Sequence, residues 1–326
     1  MSKPQKMEDN FQAEYSAVRE TGIGFYAPKR GLIEVSGGEA VMFLNGLITN
    51  DVKKIGEYSW MLAAFPNAQG RLLALVRVLL VGDRFLFDTD FAAYEKVLQN
   101  LSRFTLAGDF KVNDLTENYS CVSVRGREVQ SSRFKVQGLE FPASENEISV
   151  GEFNGEKIFV IRAVRASGLD FFVPKTQAEK FTGELKNLGA VAVSDETLEV
   201  LRVENGEPVY GVDMDETTVV LETGLDEAVS FQKGCYIGQE IIARIHFRGH
   251  VAQKLTGLSL EETATAGDEL KSADGKNAGK ITSVTFSPAL EKNIALAFVR
   301  YDYLAEGTEL KVNDSNAAVK NLPFVE

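Results

Sequence analysis

The 326-residue chain has few cysteines and no long apolar run. Its two cysteines, Cys121 and Cys235, form no CxxC pair or other zinc spacing, so a disulfide framework is not indicated and a reducing, cytoplasmic setting is expected. The strongest apolar segment, Leu72–Val81, is interrupted by Arg77 and is too short to span a bilayer. It therefore predicts a buried strand, and we expect no membrane partner. The polar N-terminus lacks the apolar segment of a signal peptide.

Basic residues are also scarce, with 35 Lys and Arg against 47 Asp and Glu and a net charge of -12. Proteins that bind nucleic acid over a broad surface are usually basic, so direct nucleic-acid binding is not expected. Any anionic ligand must be held by a local basic patch. The sequence contains no GxGxxG, no GxxxxGK[ST] and no GxSxG, which leaves the classical nucleotide-binding and serine-hydrolase motifs unrepresented.

The first part of the chain predicts a unit of strand, helix and hairpin. An extended segment, Gly31–Val35, is followed by a helix whose start we place at a Ser36/Glu39 capping box. The arms of the hairpin are Leu72–Val81 and Arg84–Asp88, joined by a turn that begins with glycine. A further helix is predicted directly after the hairpin.

The same order of elements recurs in the next part of the chain. Strands are predicted over residues 157–164 and 169–173, and Thr176 and Glu179 form a second capping box before a helix that ends at Gly189. One more helix follows, starting at residue 194 or 195 and stopping at residues 205–206. The repetition predicts two related α+β halves, over about residues 25–115 and 116–250.

From about residue 252 the pattern changes to short alternating strands separated by turn residues, without a helix. The predicted strands cover residues 255–260, 279–286, 294–299 and 309–312. Such spacing is typical of a small barrel or sandwich. We therefore predict two domains, 1–250 and 251–326.

Charge and chemistry coincide near this boundary. Residues 195–227 contain eleven acidic residues and one basic residue, Arg202, whereas residues 233–254 are mostly basic. A change of this kind is often only solvated surface. The basic window, however, also contains both histidines of the chain and one cysteine, His246, His250 and Cys235. This coincidence indicates a site.

Cys235 lies in the string KGCYIGQE, residues 233–240, directly before a predicted helix. Lys233 and the helix N-terminus would both favour a thiolate, which predicts a reactive cysteine. The alternative is a small buried apolar residue, the usual state of a free cysteine, and this suits Cys121 in its alternating strand. From the residues alone both interpretations of Cys235 stay open.

A zinc site is the other chemistry to weigh. His246 and His250 have the four-residue spacing of a helical HxxxH pair, but Gly249 lies between them and would end the helix. Cys235 would be a third ligand and no fourth is evident, so we predict no metal site.

Several segments together resemble a known family. KGCYIGQE followed by IIAR, which ends at Arg244, is similar to the signature of the YgfZ-type folate-binding proteins, within the superfamily of the glycine-cleavage aminomethyltransferase, or T-protein. The resemblance extends from about residue 25 to the end of the chain. The supporting segments are FLNGLITND (43–51), Arg202 with GEP (206–208), LETGL (221–225), GKITS (279–283) and ALAFV (295–299).

The resemblance implies an α+β fold: a ferredoxin-like folate-binding core in two related halves, followed by a small C-terminal β-barrel. It also implies an accessory role in assembling or repairing iron–sulfur clusters of particular enzymes, including those that modify tRNA. The implied partners are a reduced folate and these iron–sulfur client enzymes. The implied working groups are Cys235 and Lys233.

One departure from the family sets the expected activity. Aminomethyltransferases carry Gly-Gly-x-x-Asp-Asp, with a catalytic first aspartate, where this chain has GRLLAL over residues 70–75. Ala74 and Leu75 cannot transfer a proton or stabilise a developing cation, so aminomethyl transfer is not expected and enzymatic activity is left open. The alternative is a folate-dependent aminomethyl or one-carbon transferase acting on a small molecule.

The resemblance places a bound tetrahydrofolate, or a related reduced folate, near Glu222. A pterin presents a ring NH beside an exocyclic amine, and a carboxylate accepts both hydrogen bonds. We expect Arg244 or Lys233 to meet the anionic glutamate tail. Tyr236 and Arg202 complete the predicted folate-binding residues.

Overall fold

The computed structural model describes residues 3–106, 108–130, 134–163 and 168–325. The chain divides into two compact units, each assembled from separate segments. The first unit contains Met1–Phe43, Lys53–Met61 and Val76–Leu198, and the second contains Leu44–Val52, Leu62–Leu75 and Glu199–Glu326. The predicted boundary near residue 250 is a different division and stays a prediction.

The described part of the chain contains six α-helices and seventeen strands. The helices are α1 Lys3–Ser16, α2 Ala40–Leu47, α3 Phe91–Ser102, α4 Ala178–Asn187, α5 Asp195–Glu204 and α6 Gln239–Arg248. The strands up to α6 are β1 Gly24–Tyr26, β2 Arg30–Ser36, β3 Ser59–Pro66, β4 Leu72–Val81, β5 Arg84–Asp90, β6 Lys111–Asp114, β7 Tyr119–Arg125, β8 Ile148–Phe153, β9 Glu156–Arg162, β10 Gly168–Pro174 and β11 Val191–Ala192. The last strands are β12 Gln253–Leu260, β13 Glu269–Lys271, β14 Asn277–Ser287, β15 Lys292–Arg300, β16 Glu309–Val312 and β17 Ser315–Lys320.

The first unit contains a six-stranded sheet in the order β11-β1-β7-β10-β9-β8 and most of a five-stranded sheet in the order β3-β4-β5-β2-β6. The predicted hairpin is confirmed: Val81 pairs with Arg84, and Gly82 in the turn has a φ of 63°. A positive φ is the reason that glycine occupies this turn position.

One apolar cluster within the first unit joins side chains of both sheets. Leu32, Leu79 and Leu86 come from the five-stranded sheet, and Cys121, Phe159 and Phe172 from the six-stranded one. α4 covers the six-stranded sheet with Phe181 and Leu185, both fully buried. Two sheet-rich halves with helices confirm the predicted α+β class.

Both predicted capping boxes are wrong. Ser36 is the last residue of β2, and the Glu39 carboxylate accepts the backbone N–H of Asp109 at 2.7 Å. α4 begins at Ala178 without a side-chain cap, and the Thr176 hydroxyl contacts Glu156 at 3.4 Å. In both cases the polar side chain bonds to a residue that is distant in sequence. Local spacing does not reveal such a partner. Residue 164 of the predicted strand, and the turn residues that follow it, lie outside the described residues.

The second unit contains the predicted barrel. Its strands close in the order β12-β15-β14-β13-β16-β17 around a core that includes Leu258, Ile281, Ala297 and Val319. Four of the six strands were predicted. β13 and β17 were not, because β13 has a single apolar residue and β17 carries only small or isolated apolar ones.

No helix in the described ranges is both long enough and apolar enough to cross a membrane.

Charged side chains are buried in the first unit. Arg77 of β4 contacts Asp88 of β5 at 2.6 Å and also bonds Asp170 of β10, so it joins the two sheets. Asp88 is fully buried and receives a second guanidinium from Arg30 at 2.7 Å. Asp170 also contacts Arg125 at 2.8 Å. Each buried carboxylate is therefore paired with two arginines, which offsets the cost of its dehydration.

Replacing Asp88 with asparagine should lower the free energy of unfolding by about 3–5 kcal/mol, because it leaves buried guanidinium charge uncompensated. Urea unfolding monitored by circular dichroism measures the loss. Asp274→Asn, at an exposed carboxylate that contacts Lys276 and the Ser272 hydroxyl, is the matched control and should change little. Equal unfolding midpoints for Asp88→Asn and wild type would contradict the structural role.

The same carboxylate predicts acid sensitivity. Burial by itself would raise the pKa of Asp88, but Arg30 and Arg77 outweigh burial and hold that pKa below its ordinary value of 3.8. Stability from the ionised form is thus complete above the unfolded-state value and lost as pH falls through the lowered pKa. Unfolding below pH 4 should be less pH-dependent in Asp88→Asn than in wild type.

Candidate functional site

The KGCYIGQE loop ends where α6 begins, at Gly238. This glycine has a φ of 78°, and a Cβ there would lie 2.4 Å from the carbonyl oxygen of Asn67. Only glycine tolerates both the left-handed backbone and this close approach. The helix predicted after the loop is confirmed, with Ile242 as its fully buried residue.

The two cysteines lie in opposite environments. Cys121 is buried in β7, and burial together with the charge of Asp170 raises the pKa of its thiol to about 12. Cys235 is exposed. The expectation of an inert Cys121 is thus supported, and Cys235 is not the small buried residue that free cysteines usually are.

Lys233 is buried, with only 7% of its surface exposed. Its Nζ donates hydrogen bonds of 2.7 Å to the carbonyl oxygens of Ile48 and Asn50, and it lies 5.0 Å from the centre of the Tyr236 ring. A buried ammonium group is stable only when its donors are matched in this way. The cation therefore binds the backbone of the FLNGLITND segment.

Further hydrogen bonds within the second unit join the same two segments. The backbone N–H of Ser230 donates to the Thr49 carbonyl at 3.0 Å, and that of Ile237 donates to Gly46 at 3.1 Å. The Thr49 hydroxyl donates to Ala228 at 2.6 Å. We call this set of contacts, including those of Lys233, the loop seam. It fixes the backbone on both sides of Cys235.

Glu222 ends a short 3₁₀ turn, Val220–Glu222, and is 5% exposed. Its Oε2 accepts the backbone N–H of Val219 at 3.0 Å. Burial raises its pKa above 4.5, against the opposing effects of that hydrogen bond, the charge of Arg71 and a hydrogen bond with Gln253. A carboxylate has about four lone-pair sites, so these two hydrogen bonds leave it able to accept further donors.

Arg202 contacts only protein groups. Its guanidinium binds both carboxylate oxygens of Glu199 at 2.5 and 2.6 Å, and Asp213 at 2.8 Å. The remaining bonds go to the Glu207 carbonyl and to the hydroxyl of Ser283. An arginine has five N–H donors, and all five are used. None is left for a ligand.

Arg244 is exposed on α6, and in the described ranges it has no hydrogen-bond or ion-pair partner. Tyr236 is buried, which raises the pKa of its phenol to about 12. Of the predicted site residues, the structure thus brings Lys233 and Tyr236 into contact, while Glu222 and Arg202 each have partners of their own.

The two histidines stack on aromatic rings. His246 lies 3.6 Å from the ring centre of Phe231, and His250 lies 3.7 Å from that of Tyr301. Within the part of the chain that the structure describes, no group of three or more His, Cys, Asp or Glu side chains is placed to hold a metal ion.

Residues 74 and 75, where the resemblance places the aspartate pair of the aminomethyltransferases, lie in β4. Ala74 is fully buried there, and Leu75 is partly buried. Neither of these two residues has a carboxyl group.

Sequence reasoning missed the contacts that support the site. The roles of Thr49 and Asn50 in the loop seam were not foreseen, although both lie in the FLNGLITND string. The contacts of Glu222 with Gln253 and Arg71 were also missed. The signal for Thr49 was a polar residue within an apolar segment, and the other pairings have no local signature.

Comparisons with known proteins agree with this architecture. Residues 2–233 match the GCVT N-terminal domain, and residues 253–325 match the glycine cleavage T-protein C-terminal barrel domain. An aminomethyltransferase of Rubrobacter xylanophilus is 29% identical over 293 residues, covering 88% of this chain and 78% of that protein. An aminomethyltransferase of Thermoanaerobacter pseudethanolicus is 26% identical over 324 residues, covering 95% and 87%.

Among solved structures, glycine cleavage system aminomethyltransferase T from Bartonella henselae has the same fold. The TM-score is 0.85 at 20% identity, over 97% of this chain and 90% of that one. The match to the N-terminal domain alone spans more than half of the sequence. The chain therefore belongs to the glycine cleavage T-protein (GCVT) family.

Proposed function

We propose that this protein binds a reduced folate, tetrahydrofolate or a related form, with Glu222 as the acceptor for the pterin ring NH and exocyclic amine. The observation that carries the proposal is a buried carboxylate at the family position. Its hydrogen bonds with Val219 and Gln253 leave lone pairs that can accept two further N–H donors.

For the anionic tail of the folate, Arg244 is a better candidate than Lys233. The Lys233 ammonium is occupied by two carbonyl oxygens, whereas Arg244 is exposed and has no partner in the described part of the chain. Arg202, whose donors all bind protein groups, we assign to stabilising the fold.

As the use of the folate, we propose an accessory role of the YgfZ type: support for assembly or repair of iron–sulfur clusters in particular enzymes, including those of tRNA modification. Two observations support it over aminomethyl transfer. Ala74 and Leu75 supply no carboxyl group where the transferases carry their aspartates. The exposed Cys235 offers a different reactive group.

The second candidate is a folate-dependent aminomethyl or one-carbon transferase. The comparisons favour this candidate, because the relatives described above are named aminomethyltransferases. Both candidates require folate binding, and they differ in whether the protein turns over a one-carbon donor and in whether Cys235 is needed.

Glu222→Gln should weaken tetrahydrofolate binding by about 1.5–3 kcal/mol, because one charge-assisted acceptor is lost. Titration calorimetry under anaerobic conditions measures the affinity, and Asp226→Asn, at an exposed carboxylate nearby in sequence, is the matched control. Because burial raises the pKa of Glu222, affinity in the wild type should fall as pH drops through that raised value. Equal affinities for wild type and Glu222→Gln would rule out this assignment.

The purified protein should release no ammonia from an aminomethyl-loaded carrier protein in the presence of tetrahydrofolate. The reason is the absence of carboxyl groups at Ala74 and Leu75. A bona fide aminomethyltransferase assayed in parallel shows that carrier and folate are competent. Turnover at rates ordinary for enzymes would establish the transferase candidate instead.

A limiting amount of iodoacetamide should label Cys235 before Cys121, since one is exposed and the other buried with its pKa raised to about 12. Cys235→Ser should fold normally, because no packing of the core depends on this side chain.

In a strain that lacks the protein, Cys235→Ser should fail to restore iron–sulfur enzyme activities that the wild type restores. Cys121→Ser, expressed at an equal level, is the control for general effects of losing a thiol. Full complementation by Cys235→Ser would remove the cysteine from the mechanism.

A further inference from the structure

The loop that carries Cys235 is held on both sides of the cysteine and is open at Gly234. At one end, Lys233 is fixed by the carbonyls of Ile48 and Asn50. At the other, Gly238 lies against Asn67, at a distance that excludes any side chain. Between them, a Cβ at Gly234 would meet nothing within 4 Å. The position of the exposed thiol therefore depends on the held residues on either side of it, including the buried Tyr236.

Lys233 uses its charge to hold backbone. Two of the three ammonium donors point at carbonyl oxygens of one short segment, and the side chain is removed from solvent. Releasing the loop would break two hydrogen bonds from a charged donor and leave the buried Ile48 carbonyl without this donor, which is costly. The contact thus resists displacement of the loop.

We propose that Lys233 is a positioning residue for Cys235, acting through the loop seam and not through its charge on the thiol. This replaces the expectation that Lys233 activates the cysteine directly. It rests on the proposed function only in that Cys235 is taken as the working thiol.

The test uses two amides as reporters. The N–H groups of Ser230 and Ile237 both donate across the loop seam, so their hydrogen exchange reports its opening. Exchange is measured by NMR in wild type, in Lys233→Met and in Lys254→Met. Lys254 is a partly buried lysine of β12 and serves as the matched control. In the same proteins, the rate of Cys235 alkylation is followed as a function of pH.

Exchange at Ser230 and Ile237 should rise about tenfold or more in Lys233→Met, the size expected for losing hydrogen bonds from a charged donor, and stay unchanged in Lys254→Met. The pH midpoint of alkylation should not move. Unchanged exchange would overturn the proposal. A midpoint raised by about one unit or more, as expected when a nearby cation is removed, would also overturn it.

If Lys233→Met does not fold, Thr49→Val decides. This variant removes the hydroxyl bonds to Ala228 and to the backbone of Ala64 and leaves the lysine and its charge in place. Faster exchange at Ser230 and Ile237 with an unmoved midpoint supports the seam as the element that fixes the loop, and unchanged exchange rejects it.

These readouts use the isolated protein without folate. Failure of the proposed function would show instead as full complementation by Cys235→Ser, so the two failures are distinguishable.

Discussion

The first unit depends on the pairing of charged side chains that are buried between its two sheets. Once Asp88 and Asp170 are removed from water, each needs more than one cationic partner, and Arg77 lies between them. Arg30 and Arg125 complete the pairing. Because the partners come from strands far apart in sequence, the network forms only when both sheets are in register. It therefore selects one arrangement of strands that apolar packing alone would specify less sharply.

The same physical rule operates in the second unit on a smaller scale. There the buried cation is Lys233, and its partners are carbonyl groups instead of carboxylates. Because these carbonyls belong to the main chain, the hydrogen bonds of Lys233 fix the position of the main chain itself. The consequence is an exposed Cys235 on a loop whose ends are held.

The chain belongs to the T-protein family, and it has no carboxyl group at residues 74 and 75. The fold is retained over nearly the whole chain, with a TM-score of 0.85 to an aminomethyltransferase. At residues 74 and 75, where the resemblance places the aspartate pair of the aminomethyltransferases, the chain has the buried Ala74 and its neighbour Leu75. A fold can persist while its reaction changes, because folding depends on the core and the reaction on a few side chains. The proposed folate binding and reactivity depend instead on the buried Glu222 and the exposed Cys235.

By itself the sequence determined the α+β class, the β4–β5 hairpin, the strand-rich barrel and the helix after KGCYIGQE. These follow from periodicity and turn residues, which act over a few positions. Only the tertiary structure decided the partners of the polar side chains. In the folded protein, Glu39 accepts the N–H of Asp109 in place of its predicted capping contact, and every donor of Arg202 binds a protein group. Lys233 donates to the carbonyls of residues 48 and 50. A hydrogen bond between residues 185 positions apart leaves no local pattern, because its energy appears only when folding brings donor and acceptor together and removes both from water.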